Sequence, residues 1–191
     1  PQPFFTFGGH DAGPLLGVAV LESGPVIVGT RTTSFGARAA LYTLSGTSWS
    51  APSSSPAPLS STRQDEYGFT AFAAVAHTLV LVGDDLHLVD GVHQKPTAWV
   101  GRPGGQWTRV DLDTTGLDGS GLAHATDVAC SGSDCWVAGW VHGHAVAWPL
   151  ELAADGTARA GAPVTLPGDP GAGTDPVARV ALVHGRPVVA P

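Results

Sequence analysis

The side chains that could hold a hard cation lie together in one stretch: Asp111, Asp113 and Asp118, with Thr115 and Gly116 between them. A calcium loop supplies oxygens from alternate positions and closes on a bidentate glutamate. Here Leu122 stands where that glutamate belongs, so a solvated acidic loop is the plain reading and calcium the chemical one. His142 and His144 flank Gly143. Residues two apart on a strand share a face, and His124 could lie nearby, but a metal needs further ligands and partners behind them. No metal is therefore assigned. Cys130 and Cys135 enclose Ser131-Gly132-Ser133-Asp134, which is turn material. The pair lacks the second cysteine pair of a zinc site and the spacing of a redox motif. A disulfide across a hairpin is expected, with two free buried thiols as the alternative. The chain has no Gly-x-Ser-x-Gly, no phosphate-binding loop and no paired Cys-x-x-Cys, so no cofactor is expected.

These residues need elements to position them, and the elements repeat. Pro25-Val26-Ile27-Val28-Gly29, Leu79-Val80-Leu81-Val82-Gly83 and Cys135-Trp136-Val137-Ala138-Gly139 are the same apolar run, with glycines 54 and 56 residues apart. Arg186-Pro187-Val188-Val189-Ala190 is a partial fourth copy. A short run precedes each copy, near 17–21, 72–76, 127–131 and 179–183, and is joined to it by a tight turn such as Glu22-Ser23-Gly24 or His184-Gly185. Tyr42, Trp99 and Trp148 mark a third strand, and Trp49 and Trp107 open a fourth. No segment has helical periodicity. The chain thus reads as all-β, in units 15–68, 69–123, 124–176 and a partial 177–191. Four antiparallel strands per unit of about 55 residues is the arithmetic of a β-propeller blade. The expectation is about three and a half blades in a single, incomplete propeller domain. Phe4-Phe5-Thr6-Phe7 reads as an outer strand of a preceding blade. The small residues of the first strand (Gly17, Ala19, Ala73, Ala129, Ala181) suit a crowded axis.

At the fourth-strand turns the sequence resembles the Asp-box (BNR) repeat of sialidase-like propellers, Ser-x-Asp-x-Gly-x-Thr-Trp. Ser45-Gly46-Thr47-Ser48-Trp49 and Gly104-Gly105-Gln106-Trp107 keep the glycine and tryptophan, and Asp155-Gly156-Thr157 keeps the other half. In that family the box is a folding device. The resemblance implies a search for an arginine triad and a Tyr–Glu pair. Arg31, Arg38 and Arg63 are the candidates for the first, Glu66-Tyr67 for the second. Neighbours on a strand point to opposite faces, which speaks against that pair. A blade segment of a secreted glycoside hydrolase is therefore the alternative reading.

The leading reading is a non-enzymatic module that recognises a glycan or protein partner through the loops of one face. The loops after the second strand are expected at Thr30–Ala37, Asp84–Thr97 and Trp140–His144. Trp140 follows the repeated glycine where the sister units carry Thr30 and Asp84. It is the candidate for stacking on a sugar or anchoring a partner, with His142, His144, Arg31 and Asp84 beside it.

Composition bounds the rest. The 191 residues carry nine basic against sixteen acidic side chains, for a net charge of −7. A nucleic-acid backbone is thus an unsuitable partner. Charged residues are only 13% of the chain, against intrinsic disorder, and no apolar run has the length of a membrane span. One lysine, Lys95, beside eight arginines is the usage of a GC-rich bacterial genome. A disulfide implies an oxidising compartment, and a secreted, extracellular chain is expected. An open blade flank should associate, with another chain completing the propeller.

Overall fold

A computed structural model describes residues 12–52, 54–117, 122–167 and 178–190. The expected strand Phe4–Phe7 lies outside the described residues. Strands β1 (Ala12–Leu21), β2 (Gly24–Thr33), β3 (Gly36–Ser45) and β4 (Ser48–Ser50) form sheet 1 in chain order. Sheet 2 repeats the pattern with β5 (Asp65–Val75), β6 (Thr78–His87), β7 (His93–Gly101) and β8 (Trp107–Asp111). Sheet 3 contains β9 (Ala123–Ser131), β10 (Asp134–Val141), β11 (His144–Leu152) and β12 (Ala158–Ala160), and β13 (Val164–Thr165) also pairs with β11. Sheet 4 is the hairpin β14 (Arg179–Val183) and β15 (Arg186–Ala190). All pairings are antiparallel. The described residues contain no α-helix, only a 3-10 turn at Ala57–Leu59, and no helix long and apolar enough to cross a membrane.

The sheets pack face to face in sequence order. Sheet 2 is buried on both sides, so its second strand is apolar at successive positions from Leu79 to Val82 instead of alternating. Leu79 and Leu81 pack with Val26, Val28 and Leu41 of sheet 1, in one cluster with Trp99 and Trp107. Val80 and Val82 pack with Val137, Val146 and Trp148 of sheet 3. Sheet 3 in turn lays Ala138, Trp140 and Ala145 against Ala178 and Val180.

The repeated glycines have a steric cause. The first strands of sheets 1, 2 and 3 each carry a β-bulge, with Leu16, Thr70 and Thr126 as the extra residues opposite the glycine step. A bulge bends its strand and presses backbone toward the partner. A Cβ on Gly83 would overlap Gly68 O, one on Gly139 would overlap His124 O, and one on Gly29 would stand 2.8 Å from Leu15 Cδ2. The bulged threonines also join sheets. Thr70 Oγ1 donates to Ala125 O at 2.7 Å, and Thr126 Oγ1 to Ala178 O at 2.6 Å.

Two sequence expectations change. The first strands begin well before 17, 72 and 127, because hydrogen bonding continues past the bulge into mixed-polarity residues such as Asp65, Glu66 and His124. The segments Thr30–Ala37, Asp84–Thr97 and Trp140–His144 are not long loops. The ladders run on to Thr33↔Gly36, His87↔His93 and Val141↔His144, since backbone pairing needs no apolar side chain.

Candidate functional site

Cys130 and Cys135 are directly opposed on β9 and β10 and are disulfide-bonded. The bond closes the hairpin that carries Trp136 and locks the register that its two-residue turn sets.

The binding residues expected from sequence stand on three different sheets. Arg31 lies on β2, half-buried and opposite Arg38. Asp84 lies on β6 facing sheet 3, and its carboxylate accepts Gln94 Nε2 at 2.9 Å. Burial pushes the Asp84 pKa up, against the hydrogen bond from Gln94 and the charge of His124. Trp140 is corrected outright: it is 3% exposed, packed between sheets 3 and 4, and presents no face to a ligand. His142 and His144 do not share a strand face. His142 and Gly143 are the two-residue turn between β10 and β11, both at positive φ, the conformation such hairpin turns require. His144 opens β11 on the surface.

The calcium candidates are committed elsewhere. Asp111 Oδ1 accepts Arg109 Nε at 2.9 Å. Asp113 Oδ1 accepts the N–H and hydroxyl of Thr115 at 2.9 and 2.6 Å, which holds its pKa below the usual carboxylate range. Its carbonyl accepts Trp148 Nε1 of sheet 3 at 2.7 Å, so this loop is a tie between sheets. Asp155 and Thr157 form the same local turn, at 2.9 and 2.7 Å. Asp118 lies outside the described residues. Among the described residues, no three His, Cys, Asp or Glu side chains gather as a metal site.

Sequence reasoning missed a buried ionic cluster on the sheet 1 side of sheet 2. Asp85 is 1% exposed and meets Arg109 Nη2 at 2.6 Å. The guanidinium also lies 5.7 Å from the centre of the Tyr67 ring. Burial raises the pKa of Asp85 and of Tyr67, with Arg109 opposing both shifts. Burial works against the charge on Arg109, but Asp111, Tyr67 and Asp85 together outweigh it and keep it protonated. The period-two pattern Tyr67, Phe69 and Asp85, His87 was the available signal, since each pair shares a face. Tyr67 is buried in this cluster while its neighbour Glu66 is exposed, so the Tyr–Glu pair is not assembled. Arg63 lies in the segment before β5.

The broad concavity is a cleft of about 430 Å³ on the outer edge of sheets 1 and 2, bounded by Arg38, Leu41, Ser55, Leu59, Pro103 and Trp107 among others. Arg38 Nη1 donates to Ser55 Oγ at 3.1 Å, and Ser55 Oγ donates to Ala39 O at 2.5 Å.

No protein family, curated protein or solved structure matches this chain. The site is therefore read from its own geometry. That geometry offers a packed scaffold, a carboxylate–guanidinium cluster whose Asp85 is closed to solvent, and an open cleft whose lining, among the described residues, holds no carboxylate, thiol or imidazole.

Proposed function

We propose that this chain is a non-enzymatic binding module, built as Asp-box-like blades of a β-propeller, secreted, and engaging a glycan or protein partner at its surface. The lining of the cleft carries this reading. Glycoside hydrolysis on the usual plan needs two carboxyl groups about 5–10 Å apart across the scissile bond, and none of the described residues lining the cleft carries one. Asp85 and Asp111 of sheet 2 are both paired to Arg109. The blade reading is supported by three successive face-to-face interfaces and by the recurrent glycine opposite a bulge. The disulfide is compatible with an extracellular setting. A panel of chromogenic glycosides incubated with the intact protein should show no turnover above buffer. Sustained turnover, lost on Asp85→Asn or Asp111→Asn, would replace this reading with the hydrolase one.

A further inference from the structure

The turns at the two ends of the sheets differ in kind. One end carries the turns from first to second strand and from third to fourth: 22–23, 46–47, 76–77, 102–106, 132–133 and 153–157. These turns contain no Leu, Ile, Val, Phe or Trp. The other end carries the turns from second to third strand and the connections into the next sheet. There Phe35 of sheet 1 is 47% exposed, Val92 of sheet 2 is 71% exposed beside exposed Leu88 and Val89, and Leu122 before β9 is 56% exposed. The sheets point the same way. Glu22 N donates to Ala76 O at 3.1 Å between the first-end turns of sheets 1 and 2, and Thr70 Oγ1 ties β5 to the matching place on β9. His142 N donates to Leu122 O at 3.1 Å, which sets Leu122 beside the turn between β10 and β11.

The apolar turns are braced from below. Thr33 Oγ1 donates to Gly36 O at 2.8 Å and accepts Phe35 N at 3.2 Å. Leu88 N donates to Gln64 O at 2.8 Å, and His87 Nδ1 lies 2.6 Å from Asp65 Oδ1 at the foot of the same turn. Turn chemistry asks for Gly, Asn, Asp or Ser, not for large apolar side chains. Side chains ordered in advance lower the cost of binding.

We propose that this end of the molecule seats on a lipid surface of zwitterionic headgroups, with Phe35, Leu88, Val92 and Leu122 dipping into the acyl boundary. The inference goes beyond the binding-module reading, since it names the surface on which such a module is held. Two observations choose lipid over a pocket on a protein. The apolar side chains stand on separate turns, and exposed Thr62, Arg63 and Gln64 run between those of sheets 1 and 2. That stretch is tied on one side by Ser61 N to Ala37 O at 3.0 Å and on the other by Gln64 O to Leu88 N. A fluid layer takes separated apolar tips without a shape match, and its affinity follows the apolar area buried. Charge selects the headgroup. Asp90 is exposed at positive φ between Val89 and Val92, and the chain carries a net charge of −7. A choline cation complements the Asp90 carboxylate, whereas an anionic headgroup repels both it and the chain.

The test floats the whole chain with vesicles of phosphatidylcholine. The protein should rise with them, and vesicles of phosphatidylcholine and phosphatidylserine in equal parts should carry less of it. Val92→Asp should weaken the partition by about tenfold. Phe35→Ser, on a different sheet, should weaken it in the same direction, with circular dichroism unchanged in both variants. Val20→Asp, exposed on the outward strand face of sheet 1, should float as the wild type does. Val92→Trp should add an indole that phosphatidylcholine brominated on its acyl chains quenches beyond the wild-type level. No flotation, equal flotation of Val92→Asp, stronger flotation with phosphatidylserine, or no added quenching would overturn the proposal. So would self-association that Val92→Asp abolishes while vesicles carry no protein, a result that makes this end an interface between copies. Glycoside turnover in the separate assay bears on the module reading alone.

Discussion

Trp140 shows how a single side chain is misread when the next layer is unknown. Its position after a repeated glycine is legible, and so is the absence of an aromatic at Thr30 and Asp84. What the residues alone do not tell is which face of β10 receives another sheet. Alternation puts Ala138 and Trp140 on one face, and sheet 4 covers it. Trp140→Ala should therefore act on stability, costing roughly 3–5 kcal/mol in urea denaturation. An unmoved midpoint would show that the indole is not packed. Asp85 makes the complementary point about charge. Burial raises its folded pKa above the ordinary value of 3.8. A carboxyl shifted that way contributes most below its unfolded pKa and loses the contribution as pH rises through the folded one. The stability of the wild type minus that of Asp85→Asn should fall as the pH is raised from about 3 toward neutrality. A difference that grows with pH would mean that Arg109 stabilises the charge more than burial opposes it.

At the scale of the strand, most of the repeat is readable because both periods are present, two residues within a strand and about 55 between units. The paired runs, the third-strand aromatics and the hairpin disulfide all follow from it. The bulges do not. A bulge is one extra residue with no side-chain signature of its own, and the signal it leaves is the glycine forced on the opposite strand. Strand ends were hidden for a related reason: the first-strand segments Asp65–Phe69 and Ala123–Ala125 pair before their apolar runs begin. The threonine at the bulge then does what no pattern predicts, bridging its own second strand and the next sheet. Thr126 Oγ1 reaches Ala138 O at 3.3 Å as well as Ala178 O. Thr126→Val keeps the shape and leaves a buried carbonyl unserved, so about 1–3 kcal/mol should be lost. Hydrogen exchange in β14 and β15 should quicken more than in β5 and β6. Uniform exchange across the sheets would show that the hydroxyl is not a joint.

Across the whole molecule, the outward faces of the first and last sheets keep apolar side chains in water. Val18 and Val20 are exposed on sheet 1, and Val183 and Val188 on sheet 4. Such faces promote association. Sedimentation velocity should show the mean mass rising with concentration, and Val18→Thr with Val20→Thr should reduce the rise. A constant monomer mass would mean that these faces are not sticky enough to matter. The order of sheets was legible in the sequence, while the partner of each outer face was not, because a repeat specifies its neighbours only from within.

The hydroxyl tie from a bulge to the next sheet ends on a carbonyl, and every residue has one. The receiving sheet therefore needs no particular side chain at that point, only a main-chain oxygen at the same place beside its first strand. A chain with this connector can grow by tandem duplication: a second copy of residues 69–123 spliced in after the first would meet the Thr70 hydroxyl with the carbonyl of its own Phe69, which sits opposite Gly83 as Ala125 sits opposite Gly139. Length in such a protein is a matter of gene copy number, and each added unit arrives with its coupling already made.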